Sequence, residues 1–248
     1  KKKIIFLASP FDQWGLSFLI KNNVKIIKIP SGEINNIFFL KKVSQYKKNV
    51  ILSTGMSKMA EVKRAVNILI SNKIKKLKIT ILQCNSEYPT PIKDLNLNVL
   101  KTFKEKFNLK IGLSDHTKSI YPAIIAVSLG AKVIEKHLTL NTNSQGPDHK
   151  ASVNPKDFKL MSKLIRLTET SLGSYEKKPS KSEIKNIKIA RKSVFALRTI
   201  KRGDKFSTKN ICLKRPAFGI QAENFEKLLG KKSKKDYLED QIINSNEL

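Results

Sequence analysis

Cysteine is scarce in this chain of 248 residues: only Cys84 and Cys212 occur, far apart, each ending or interrupting a strand-like run. The simplest reading is two buried thiols in a reducing compartment. No run of 18 apolar residues is present and no signal peptide is visible, so a cytoplasmic protein without a membrane span is expected. Acidic residues are few, 20 against 49 Lys and Arg, which leaves a formal charge of +29. Such a charge invites a nucleic-acid partner. Against it, arginine is also scarce: all but six of the basic residues are Lys, spread over almost every segment. No arginine cluster, aromatic–basic interleaving or DNA-binding motif appears, so no nucleic-acid partner is expected. A basic mouth on an enzyme would instead favour anionic substrates. The 40% hydrophobic content is enough for a true core.

What is present is a repeated unit. Short β-branched runs ending in polar residues recur at 3–8, 25–29, 49–52, 78–83, 109–113 and 131–135. Helix-length apolar segments separate them, among them LSFLIKN, IFFLKKVS, AEVKRAVNILIS, LNVLKTFKEKF and SIYPAIIAVSLG. Strand–helix alternation of this kind predicts βαβ units and a parallel sheet covered on both faces. Every strand end is polar, which favours a (β/α)8 barrel whose loops converge on one site over an open sheet with a single switch point. Only six strands are counted where a barrel needs eight, and the chain opens on Lys1-Lys2-Lys3 without an initiator Met. The expectation is a barrel lacking its first two βα units, on the order of 60 to 100 residues. Two unpaired edges would make such a chain poorly stable or prone to aggregate.

The three histidines all lie between positions 116 and 149, and two of them end consecutive predicted strands, LKIGLSDHT and AKVIEKHLT. His116 and His137 thus fall at the carboxyl ends of neighbouring parallel strands, where imidazoles suit a divalent metal with open positions. Two satisfied polar residues near loops are the plainer alternative. Lys28, Ser31 and Glu33 cluster in KIPSGE; the first two suit a phosphate or carboxylate, and Glu33 suits a general base. Ser53-Thr54-Gly55 offers further hydroxyls, or merely a helix cap. Gly146-Pro147-Asp148-His149 either brings a carboxylate and a third imidazole to the mouth or is only a turn.

The ordered series SPFD, KIPSGE, ILSTGM, QCNSEYPTP, GLSDHT, EKH and GPDHKAS resembles the sialic acid synthase family, which includes the N-acetylneuraminate, legionaminate and pseudaminate synthases. The resemblance runs from about Ser9 to the C-terminus. It implies condensation of phosphoenolpyruvate with an N-acetylated amino sugar in its aldehyde form, N-acetylmannosamine or a diacetylated relative, to a nonulosonic acid and phosphate. By the same resemblance His116 and His137 hold Mn2+ or Mg2+, and Glu33 assists as base and as stabiliser of positive charge. Ser9, Lys28, Ser31, Ser53 and Ser114 match positions that hold phosphoenolpyruvate. Ser86, Tyr88 and Asp148 match sugar-side positions, with Ser86 where some members carry Asn and Gln83 in place of a frequent His. Two further family residues, a Lys and a Glu on the first two strands, have no counterpart here.

Domain boundaries follow from composition and resemblance together: a barrel over 1–173, a polar, Pro-containing linker over 174–188, and a small β-rich domain over 189–248. The last resembles the antifreeze-like SAF domain. It implies a homodimer in which Arg215 of the KRP motif reaches the partner barrel and binds the sugar N-acetyl group. Lys201-Arg202-Gly203-Asp204 is expected to turn between two short strands, and Phe218 is a bulky departure in the loop after Arg215. A degenerate or split barrel that binds sugar, metal or a partner without turnover is the alternative to an enzyme.

Overall fold

A computed structural model describes residues 4–247. They form two compact units, the first ending at Gly173 and the second starting at Ser174. In the first unit α1 (Gln13–Lys21) precedes β1 (Ile26–Ile29), α2 (Ile37–Gln45), β2 (Asn49–Ser53) and α3 (Met59–Ser71). Then follow β3 (Ile79–Cys84), α4 (Val99–Phe107), β4 (Lys110–Asp115), α5 (Tyr121–Ser128), β5 (Val133–Lys136) and α6 (Pro155–Leu172). The five strands make one parallel sheet in the order β1-β2-β3-β4-β5, each paired with the next in sequence.

The strands form where continuous apolar runs let both faces be covered. Ile27 and Ile29 of β1, Leu52 of β2, Ile79 and Ile81 of β3, and Ile111 and Leu113 of β4 are all buried. One core unites them with Phe39, Leu40 and Val43 of α2, Val62, Val66 and Leu69 of α3, and Leu100 and Phe103 of α4. Each such side chain contributes about 1.5–3 kcal/mol of burial free energy. Caps set the helix starts. Asp12 accepts from the Gly15 amide before α1, and Asn154 accepts from Asp157 before α6, where Pro155 takes the first helical position. Gly112 admits close packing of β4 on β5: a Cβ there would lie 2.4 Å from the Val133 carbonyl oxygen and 2.5 Å from Leu82.

One expected strand is absent. Of the run at 3–8, residue 3 lies outside the described residues, while residues 4–8 take no strand conformation and pair with no ladder. Ile4, Ile5 and Phe6 stand at least 65% exposed. A β-branched run becomes a strand only where a neighbour accepts its hydrogen bonds and a face is buried, and neither condition is met here.

The second unit holds α7 (Lys181–Ala190), an antiparallel pair of β6 (Ser193–Ala196) with β7 (Ile211–Lys214), and α8 (Phe225–Leu228). Its core gathers Val194, Ile200, Phe206, Ile211, Ile220, Leu228, Tyr237 and Ile243. The stretch expected to be a linker, 174–188, is helical from Lys181, and the helix runs on to Ala190. Ser180 and Glu183 form a reciprocal capping box, which starts the helix despite its polar sequence. The Lys201–Asp204 turn does lie between β6 and β7, but its flanks pair elsewhere, Ile200 with Tyr237 and Lys205 with Lys232. Both cysteines are free; Cys84 is buried as expected, whereas Cys212 is only half-buried.

Candidate active site

Parallel strands deliver their carboxyl ends to one side of the sheet, and there a cleft of about 500 Å³ opens. Lys28 reaches it from β1, Ser31 from the turn that follows, and Ser53 from β2. Cys84 ends β3, with Ser86 and Tyr88 just beyond; β4 supplies Ser114 and then His116, and β5 supplies Glu135 and then His137. Ser9 joins from the N-terminal segment.

Lys28, nearly buried, donates to Glu135 Oε1 at 2.9 Å, and Ser114 Oγ donates to the same oxygen at 2.6 Å. Glu135 thus ties β1, β4 and β5 together inside the cleft. The buried Ser53 hydroxyl has no hydrogen-bond partner. Ser31 Oγ accepts from the Gly55 amide at 2.9 Å. Gly55 permits that approach, because a Cβ there would lie 2.9 Å from Ser31 Oγ and 2.2 Å from Ser86 Oγ.

The histidine pair is well defined. His116 Nδ1 lies 2.6 Å from the Asn85 carbonyl oxygen, which can only accept, so Nδ1 carries the proton and Nε2 presents its lone pair to the cleft. Tyr88 Oη donates to that Nε2 at 3.1 Å, and its ring stacks on the imidazole at 4.0 Å between centroids. Burial, with the Cys84, Asp148 and Glu135 charges, pushes the Tyr88 phenol up to about 12, so it remains a donor. The His116 and His137 rings lie 5.3 Å apart. Burial lowers the pKa of both, that of His137 further through the neighbouring His116, and so keeps both imidazoles neutral near pH 7. Asp148 Oδ2 approaches His137 Nδ1 to 3.9 Å.

Of the residues singled out in the sequence, Ser9, Lys28, Ser31, Ser53, Ser86, Tyr88, Ser114, His116 and His137 line this cleft together. Asp148 stands at its rim beside His137, while His149 turns away to Thr139 Oγ1 at 2.7 Å. Glu33 is not among the residues that line the cleft; its Oε2 accepts from Asn36 Nδ2 at 2.7 Å. Arg215 lies in the second unit, where its Nε donates to the Ala190 carbonyl oxygen at 2.7 Å. Glu135 was not foreseen. The signal was available, since Glu135 and His137 share one face of a strand by the two-residue period.

Among the described residues, no group of three or more His, Cys, Asp and Glu side chains is placed to share one metal ion. The donors that are present still fit an open site: two neutral imidazoles, one with its tautomer fixed by a backbone carbonyl.

The fold and cleft define a parallel α/β protein with a basic, hydroxyl-rich, two-histidine site at its strand ends. Residues 1–177 match the model of the NeuB family, and residues 191–248 match the SAF domain. The chain belongs to the NeuB family, the group that its ordered motifs resemble. It is 47% identical to the N,N'-diacetyllegionaminic acid synthase of Campylobacter jejuni over 98% of this chain and 73% of that protein. It is 37% identical to the pseudaminic acid synthase of the same species, over 94% and 67%. Among solved structures it is similar to the N-acetylneuraminic acid synthetase of Leptospira borgpetersenii in complex with citrate, with a TM-score of 0.70 and 36% identity, covering 75% of this chain and 64% of that one. No helix among the described residues is long and apolar enough to cross a membrane.

Proposed function

We propose that this chain condenses phosphoenolpyruvate with an N-acetylated amino sugar to give a nonulosonic acid and inorganic phosphate. The observation that carries this reading is Ser53: a buried hydroxyl with no partner, lining the same cleft as Lys28 and Ser114. A buried polar group without a partner is costly unless a ligand completes it. A cation with several hydroxyls is the chemistry that an anionic enol phosphate needs. The similar structure that holds citrate, itself a polycarboxylate, supports an anion site.

In this reading Lys28, Ser31, Ser53, Ser114 and Ser9 hold the phosphate and carboxylate of phosphoenolpyruvate. Ser86, Tyr88 and Asp148 hold the sugar, and Arg215 binds its N-acetyl group from a partner subunit in a homodimer. His116 and His137 would hold a manganese or magnesium ion, which when bound supplies Lewis-acid polarisation of the sugar aldehyde. Carbon 3 of phosphoenolpyruvate forms the new bond to the aldehyde carbon, whose oxygen takes up a proton. Water adds at carbon 2 and gives up a proton, and the carbon–oxygen bond to phosphate then breaks. As it breaks, the new carbon 2 hydroxyl passes its remaining proton to the departing phosphate and becomes the ketone. Glu135 sits inside the cleft to receive the proton from water, and its charge offsets the positive charge developing at carbon 2. Glu33, whose carboxylate bonds to Asn36 in this structure, is the rival for the same role. The five-stranded sheet is read as an arc of a (β/α)8 barrel, with unit boundaries at 173 and 189 and a connecting segment over 174–188. The 47% identity to a diacetyllegionaminic acid synthase favours a diacetylated sugar over N-acetylmannosamine.

Phosphate release from phosphoenolpyruvate with Mn2+, offered both sugars in parallel, tests this. Release that depends on the diacetylated sugar and disappears in His116→Ala and His137→Ala supports the reading. A folded, Mn2+-binding protein that releases no phosphate with either sugar would leave a binding protein without turnover.

A further inference from the structure

Outside the residues given roles above, one pair of buried charges lies next to the two histidines in the chain. Asp115 and Lys136 are register partners on β4 and β5, joined at 2.9 Å, and both side chains are fully buried. Strand alternation turns Ser114 and His116 one way and Asp115 the other, and likewise separates Glu135 and His137 from Lys136. The strand ends are therefore cross-linked twice, by Ser114–Glu135 in the cleft and by the buried side chains of Asp115 and Lys136, the latter a residue that also borders the cleft.

The hidden pair does more than satisfy itself. Lys136 Nζ also donates to the Thr117 carbonyl oxygen and to the Ser119 carbonyl oxygen at 3.1 Å. Asp115 Oδ1 accepts from the Thr117 amide at 2.8 Å. All of these bonds grip the turn directly after His116, while Lys136 directly precedes His137. A pair that served stability alone would be replaceable by apolar residues at little cost. This one gathers the backbone of one histidine's turn onto the strand of the other.

We propose that Asp115 and Lys136 are positioning residues that fix His116 and His137 in one relative arrangement. Where the metal enters, this rests on the proposed function; as a statement about the two rings it does not. A brace in the metal ligands' surroundings is worth about tenfold or more in metal affinity.

The test uses the full chain carrying Asp115→Asn and Lys136→Met together, which removes both charges at nearly constant shape. Val66→Ala, in the α3 core, serves as a control for general loss of stability. Mn2+ affinity is titrated, and the histidine ring 15N–1H spectrum is recorded on metal-free protein. The expected result is a folded double variant whose Mn2+ affinity falls at least about tenfold and whose His116 and His137 ring signals move, while the control changes neither. Unchanged ring signals with affinity within about twofold of the parent would overturn the proposal. If the parent binds no Mn2+, the metal reading fails, and the ring spectra alone decide the positioning role. Should the double variant not fold, amide exchange in the unaltered protein decides: the Thr117 amide must exchange as slowly as the buried strand amides of β4, and fast exchange there refutes the brace.

Discussion

Replacing Ser53 with alanine should make the ligand-free protein more stable and the ligand-bound protein weaker. Its hydroxyl is 1% exposed in the residue as a whole and has no partner. A buried hydroxyl left unpaired costs about 1–3 kcal/mol. Alanine removes that cost and leaves a void of only one oxygen atom, so a gain of about 1 kcal/mol is expected. For a chain of this size that raises Tm by about 2–4 °C. The same hydroxyl in contact with a charged phosphate or carboxylate contributes about 1.5–3 kcal/mol. Its loss should weaken phosphoenolpyruvate binding by at least about tenfold. Thermal unfolding with and without phosphoenolpyruvate reads both quantities in one experiment, because a ligand that binds only the folded state raises Tm according to its affinity. The parent should show the lower free Tm and the larger shift. A Ser53→Ala protein that melts earlier than the parent, with an unchanged phosphoenolpyruvate shift, would refute the reasoning on both counts.

Glu135→Gln should lower kcat by about 100-fold or more, the usual contribution of a positioned base, while Glu33→Gln changes it only a few-fold; steady-state rates that reverse this order make Glu33 the base. Gly112→Ala should destabilise the first unit by about 1–3 kcal/mol, since its Cβ would meet the Val133 carbonyl oxygen and Leu82; chemical denaturation measures this, and an unchanged midpoint contradicts the packing described. In the second unit Tyr237, pushed up to about 12 by burial and by its bond to Glu247, is neutral when folded where the unfolded phenol begins to ionise near pH 10. The unfolded state then holds fewer protons, so stability must fall as pH rises from about 10 to 12, by about 2 kcal/mol in all. Tyr237→Phe should flatten that slope in pH-dependent melts.

Much of this was legible in the residues. The runs at 49–52, 78–83 and 109–113 became β2, β3 and β4 within two residues, because strands buried on both faces show as uninterrupted apolar stretches. The run at 3–8 had the same composition and formed no strand, since pairing depends on a neighbour and not on the run itself. Helix α6 has its start marked by Asn154, Pro155 and Asp157, and α7, though largely polar, is marked by the Ser180–Glu183 cap. In the cleft, His116, His137, Lys28 and Ser53 could be named from strand ends. Glu135 could have been, from its two-residue spacing to His137, but the Asp115–Lys136 pair could not, because its meaning lies in cross-strand register, Asp115 opposite Lys136. Glu33 lies two residues after Ser31 in sequence, yet its carboxylate bonds locally to Asn36 and is not among the cleft's lining.

The most direct test of the condensation is an isotope measurement. Phosphoenolpyruvate carrying 18O in its carbon–oxygen–phosphorus bridge is turned over with the diacetylated sugar, and the released phosphate is weighed by mass spectrometry. The proposed reaction breaks the carbon–oxygen bond, so the phosphate must carry the 18O and appear only when the sugar is present. Phosphate free of 18O would mean hydrolysis at phosphorus, and release that is equal without sugar would mean hydrolysis without condensation; either would contradict the account.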